Sequence, residues 1–87
     1  MIKGEIVAIR EIARDKCRMR LLLKNGDEKE YLLDGGAGLL MANYEAWKAY
    51  RTSNKGFTFQ CDTSKNVFSG YLISTGLCGA YGVIREA

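Results

Sequence analysis

Histidine and proline are both missing from this 87-residue sequence, cysteine occurs only three times, and no apolar run exceeds the four residues of Ile6 to Ile9 or Leu39 to Ala42. Each shortage closes off a class of chemistry. Imidazole is the usual general base near neutral pH and the commonest metal ligand. Its absence removes Ser-His-Asp and Cys-His nucleophile systems, the HExxH metalloprotease motif and every histidine-containing zinc site. No metal and no cofactor are expected. Without proline there is no PxxP ligand and no cis-proline turn, and glycine is left as the one strong breaker of regular structure. The apolar runs fall far short of the roughly 20 residues of a membrane-spanning helix. No hydrophobic stretch follows Met1-Ile2-Lys3-Gly4-Glu5 as a signal peptide would require. The expectation is a cytoplasmic chain with no membrane partner.

The cysteines, Cys17, Cys61 and Cys78, are odd in number, widely spaced and without a CxxC pair. They read as reduced, mostly buried thiols. Only Cys17 has cations beside it, Lys16 and Arg18, and in a strand those neighbours point to the opposite face, so nothing there lowers the thiol pKa.

What is present is an ordinary globular balance, 47% apolar and 26% charged, well away from the composition of a disordered chain. The length suits one core, hence a single domain over 1–87. A net charge of +3 is too small to demand a nucleic-acid partner, so the distribution of charge has to decide.

The first third alternates with period two. Ile6, Ala8, Arg10 and Ile12 share one face of a strand and Glu5, Val7, Ile9 and Glu11 the other; Cys17, Met19, Leu21 and Leu23 then alternate with Lys16, Arg18, Arg20, Leu22 and Lys24. Register discriminates between turns, because a slip of one residue exchanges the faces of a whole strand. A two-residue Asn25-Gly26 loop would set Leu21 against Glu30, whereas a three-residue loop, Lys24-Asn25-Gly26, pairs Met19 with Tyr31, Cys17 with Leu33 and Arg20 with Glu30. The longer loop is expected, with Gly26 left-handed. Joining the first two strands through Ala13 to Lys16 would pair Ile12 with Cys17, Ala8 with Leu21 and Glu11 with Arg18.

Asp34 is the expected N-cap of a helix running from Leu39 to Arg51, with Gly35, Gly36 and Gly38 before it. The glycines do not make a phosphate loop: GxGxxG from Gly36 would need glycine where Met41 stands, and no GxxxxGK follows. Apolar side chains from Leu39 to Tyr50 cover about 220° of this helix, against about 100° for one core contact. Only Met41, Glu45 and Lys48 form a solvated strip, and Asn43, inside the apolar arc, would need a hydrogen-bond partner if buried. Strands are expected over Phe57 to Asp62, Val67 to Thr75 and Leu77 to Arg85, with Gly70, Gly79 and Gly82 marking bulges or close backbone contacts. The fold class is therefore α+β, an antiparallel sheet or partly open barrel of five to six strands with one central helix, in the order βββαβββ.

Two surfaces stand out. Leu40, Tyr44, Trp47 and Arg51 line one flank of the helix at spacings of three and four. Such residues either complete the core or, being of types enriched at binding hot spots, anchor a protein partner or a second copy of the chain. Between Arg10 and Lys24 there is a local excess of four positive charges. Arg14, Lys16, Arg18 and Arg20, with Phe57, Phe59 or Tyr71 as stacking surfaces, could grip a nucleic acid. The competing reading is a solvated face in which Arg18 and Arg20 pair with Glu11 and Glu30. That outer face also carries Val7, Ile9, Leu22 and Leu32, too apolar for water alone. Either the last strands fold over it or another molecule does.

With no catalytic constellation in view, the favoured expectation is a small non-enzymatic protein-binding regulator or inhibitor, and a nucleic-acid-binding module is the alternative. In format, a lone small domain without linkers, the chain resembles the antagonists that phages and mobile elements direct at host nucleic-acid-processing complexes, anti-CRISPR proteins among them. That resemblance is one of size and composition and attaches to no particular residue.

Overall fold

The alternation in the first third becomes three antiparallel strands, β1 (Ile2–Ala13), β2 (Lys16–Leu22) and β3 (Glu28–Asp34). They belong to a computed structural model that describes residues 1–50, 56–64, 67–72 and 75–87, with side chains for 1–49, 56–64 and 81–87. Cys17, Met19 and Leu21 are buried on β2 while Lys16 and Arg20 face outward. The β2–β3 loop has the expected three residues, closed by Leu23 N–H donating to Asp27 O at 2.8 Å and Gly26 N–H to Leu23 O at 3.0 Å. Gly26 has φ +92°, a conformation that a residue with a Cβ adopts only at a cost. The register is the one the apolar pattern requires, with Met19 opposite Tyr31, Cys17 opposite Leu33 and Arg20 opposite Glu30.

Between β1 and β2 the register differs from expectation. The hairpin begins as expected, with Ala13 opposite Lys16, but shifts occur between Glu11 and Ala13 and again between Ile6 and Ala8. Glu11 therefore faces Cys17, Arg10 faces Arg18, Ile9 faces Met19 and Ile6 faces Leu21. The extra residues are Ile12 and Val7, and each bulge turns the strand by one side chain. Ile6 and Ile9, three apart, thereby reach the same core face, which a regular strand forbids. Ile12 and Val7 are left exposed.

The helix, α1, spans Ala37–Tyr50, starting two residues before the expected Leu39. Its cap is not Asp34, whose carboxylate lies 3.4 Å from Lys16 Nζ. It is Asp15, in the β1–β2 turn: its carboxylate accepts from the amides of Gly36 at 2.9 Å and Gly38 at 2.8 Å, and its carbonyl from Gly35 N–H at 2.9 Å. Asp15 holds a left-handed φ of +57°, a region that Asp and Asn tolerate better than most residues. Three amides at the helix start are thus satisfied from a distant turn, and the Asp15 carboxylate stands where an external phosphate would have to bind. Leu40 N–H donates to Gly36 O at 3.2 Å to begin the helical ladder, and Asn43 Nδ2 finds its partner in Leu39 O at 2.8 Å.

After the helix come β4 (Thr58–Asp62), β5 (Val67–Leu72), β6 (Thr75–Ala80) and β7 (Val83–Glu86). The single last strand expected over Leu77 to Arg85 is divided at Tyr81-Gly82, because its halves pair with different neighbours. Among the described residues the sheet has seven strands in the order β6-β5-β4-β1-β2-β3-β7, with every pairing antiparallel. Its two edge strands, β6 and β7, are separated in sequence by only two residues, a span of about 11 Å at most. The sheet must therefore curl until its edges approach, giving a half-barrel. At that corner the backbones nearly touch: a Cβ on Gly82 would lie 2.5 Å from Asp34 O, and one on Gly35 2.8 Å from Gly82 N. The helix fills the concave side, and Ile6, Cys17, Met19, Leu21, Tyr31, Leu33, Phe59 and Cys61 of the sheet form one core with Ala37, Leu40 and Trp47. This is the α+β architecture, one helix against a curled antiparallel sheet, that the patterning implies.

Candidate functional site

The helix flank singled out in the sequence points inward. Leu40 is fully buried and Trp47 is 7% exposed. Tyr44 is half-buried, with its ring stacked on Trp47 at 5.5 Å between centroids and set edge-on to Phe57 at 5.7 Å. These three side chains are core, because the curl of the sheet offers the helix a concave bed wide enough to take them. Arg51 lies outside the described residues. Of the expected solvated strip, Glu45 and Lys48 are exposed, but Met41 is partly buried against the core; among the described side chains of the helix, Leu39, Ala42 and Ala49 are the apolar ones exposed to water.

The basic strand is placed as expected but is largely paired. Lys16 meets Asp34 at 3.4 Å, Arg18 meets Glu30 at 3.6 Å and Arg20 meets Glu28 at 4.0 Å. Glu11 is not the partner of Arg18, since the bulge at Ile12 moves it opposite Cys17. Arg14 stands exposed in the hairpin turn. Phe57 and Phe59, proposed as stacking surfaces, are both fully buried, and the side chain of Tyr71 lies outside the described residues. The structure thus brings Lys16, Arg18 and Arg20 into one row and supplies carboxylates beside it, without aromatic faces at the surface among those two.

The outer face of the sheet stays open among the described residues. The last strands do not fold over it: β7 extends the sheet beyond β3, while β5 and β6 extend it beyond β4. Ile9 leaves that face through the bulge at Val7 and packs against the core, and Leu22 and Leu32 remain half-buried. Clefts line this face, two of them beside the cations of β2. One, of about 310 Å³, is bordered by Ala8, Ile9, Arg10, Arg18, Arg20 and Glu30. The other, of about 400 Å³, is bordered by Ile12, Leu32 and Val83 with Lys16, Asp34 and Arg85. Ile12 is 47% and Val83 56% exposed. Sequence reasoning missed Ile12, Val83, Arg10 and Arg85 because bulge and strand order, not periodicity, bring them together; the basic run around Arg10 was the one signal available.

Among the described side chains, which do not include Cys78, the nucleophile inventory is quiet. Cys17 and Cys61 are free and buried. Burial, with a smaller push from Asp15, raises the Cys17 thiol to about 11, and burial also raises Cys61 against the opposing effect of its hydrogen bond with Tyr81. The Tyr81 phenol, withdrawn from water and hydrogen-bonded with Cys61, is raised to about 12. All three are protonated at neutral pH. Among the described residues no group of three or more Cys, Asp or Glu side chains is arranged to hold a metal ion, and no helix is long and apolar enough to cross a membrane. Set beside known proteins, the chain matches no family model, no curated protein and no solved structure.

Proposed function

We propose that this chain is a small non-enzymatic protein-binding regulator or inhibitor, engaging its partner through the outer face of β1, β2, β3 and β7 rather than through the helix. The observation that carries this reading is the cleft in which exposed Ile12 and Val83 flank Leu32 on a sheet face that no other described element covers. Withdrawing such side chains from water is favourable by up to about 1.5–3 kcal/mol each. Their surround of Lys16, Asp34 and Arg85 has the layout of an interface, an apolar centre inside a charged rim. The nucleic-acid alternative loses support because Phe57 and Phe59 are interior and the cations of β2 are interleaved with carboxylates of β3.

The test is retention of partners on immobilised chain, together with light scattering of the free protein, for wild type and for the double variant Ile12→Asp, Val83→Asp. Both positions are solvent-facing, so circular dichroism should report an unchanged fold. A specific partner or a self-associated species present for wild type and lost in the variant supports the reading. A monomer that retains nothing the variant does not also retain would refute it.

A further inference from the structure

We infer that the arginine cleft between β1 and β2 is a carboxylate subsite of this surface, and that the partner fills it with an aspartate or glutamate of an acidic protein segment. The inference rests on the protein-binding reading above and names the chemistry of the partner. The bulged register sets Arg10 directly opposite Arg18, an arrangement in which like charges repel. Three arginines border the cleft, with Glu30 serving Arg18 and Glu28 serving Arg20. Among the described residues, Arg10 has no carboxylate within ion-pair distance. Arg18 Nε is shut off from solvent and donates to no acceptor, and an unmade hydrogen bond from a charged donor is costly.

A single oxyanion placed between Arg10 and Arg18 would offset the opposed charges, meeting Arg18 at the terminal nitrogens of a side chain that is 39% exposed rather than at the occluded Nε. Opposed residues of antiparallel strands lie about 4.5–5.5 Å apart, and the guanidinium fork matches a carboxylate in a two-point contact. Ala8 on the same wall offers only a methyl group, which leaves room for the incoming side chain. The ligand is a local carboxylate rather than a polyphosphate backbone because Glu28, Glu30 and Asp34 stand on the adjoining strand, where a line of phosphates would meet them. Lys16 and Arg18 are two residues apart on β2 and border the apolar and the arginine cleft respectively. One extended segment can therefore place an apolar side chain in the first and an acidic one in the second.

The experiment titrates the uniformly 15N-labelled 87-residue chain with hexaglutamate at low salt, following the arginine Nε–H signals. The expected result is saturable shifts at Arg10 and Arg18, weakened about tenfold by Arg18→Gln, the worth of one charge-assisted hydrogen bond. Arg10→Gln, at an exposed position, should weaken binding comparably and guards against a folding defect in the first variant. Arg14→Gln, outside the cleft, should change affinity less than about twofold. Absence of saturable shifts, equal loss in Arg14→Gln, or tighter binding of a hexathymidylate than of hexaglutamate would overturn the proposal. In the double variant Ile12→Asp, Val83→Asp the hexaglutamate shifts should persist, so loss of partner retention there with an intact arginine cleft separates the two readings. Hexaglutamate binding that depends on Ile12 and Val83 would contradict the assignment to arginine.

Discussion

At the residue scale, Asp15 links the hairpin to the helix. It takes a left-handed backbone and spends its carboxylate on two amides of the helix start. The amide bonds from Gly38 and then Gly36 hold its pKa below the ordinary carboxylate value. Because the folded value lies under the unfolded one, about 3.9, the stabilisation is complete above the unfolded value and is lost as pH falls through the folded value. Asp15→Asn should keep the left-handed turn and an acceptor while flattening the acid limb, so that urea midpoints of variant and wild type converge below pH 4. Asp15→Ala should lower the midpoint at every pH. Parallel acid dependence in Asp15→Asn and wild type would show that the limb belongs to another carboxylate. The thiols give a second residue-scale prediction. With Cys17 near 11 and both Cys17 and Cys61 without exposed surface, alkylation mapped by mass spectrometry should label them only as fast as the chain unfolds, and immediate labelling at pH 7.5 would contradict their burial.

At the scale of elements, the helix shows how an apolar surface wider than one contact is divided by the fold. Its apolar residues span more of the circumference than one core needs, and the face taken by the sheet is the one bearing Leu40, Tyr44 and Trp47. Trp47→Ala should therefore cost about 3–5 kcal/mol in urea unfolding, the usual range for emptying a core aromatic site. Leu39→Gln, on the water side, should stay within about 0.5 kcal/mol. The reverse ranking would mean that the helix is seated the other way round. In β1 the two bulges have the larger consequence. They carry Ile6 and Ile9 to the core together, expose Val7 and Ile12, and bring Arg10 opposite Arg18. The interior of the sheet and the chemistry of its outer face are thus settled by the same two extra residues.

At the scale of the whole molecule, closure depends on the two-residue link between β6 and β7. Gly35 and Gly82 permit an approach that a side chain would block. Gly82→Ala should push the corner apart and destabilise the chain toward the upper end of the about 0.5–3 kcal/mol range of single substitutions, measured by urea unfolding. An unchanged midpoint would mean that the edges can separate without cost. Curling also decides what remains for function. The concave side is consumed by the helix and its aromatics, and the convex side, with its paired cations, arginine cleft and apolar cleft, is the face no other described element covers.

Much of this was legible locally. Alternation identified β2 and β3, the faces of their side chains, and the three-residue turn at Gly26, because period and register are properties of residues close in sequence. The α+β class and the need for a partner to Asn43 followed in the same way, and the absence of histidine had already removed whole families of chemistry. Tertiary structure alone decided the rest. The cap came from Asp15, some twenty residues away, instead of Asp34; β1 was bulged twice; the expected last strand split between opposite edges; and among the described residues the outer face stayed open. Each of these turns on competition between distant segments for the same hydrogen bonds and the same apolar surface, and periodicity within one segment carries no record of which competitor wins.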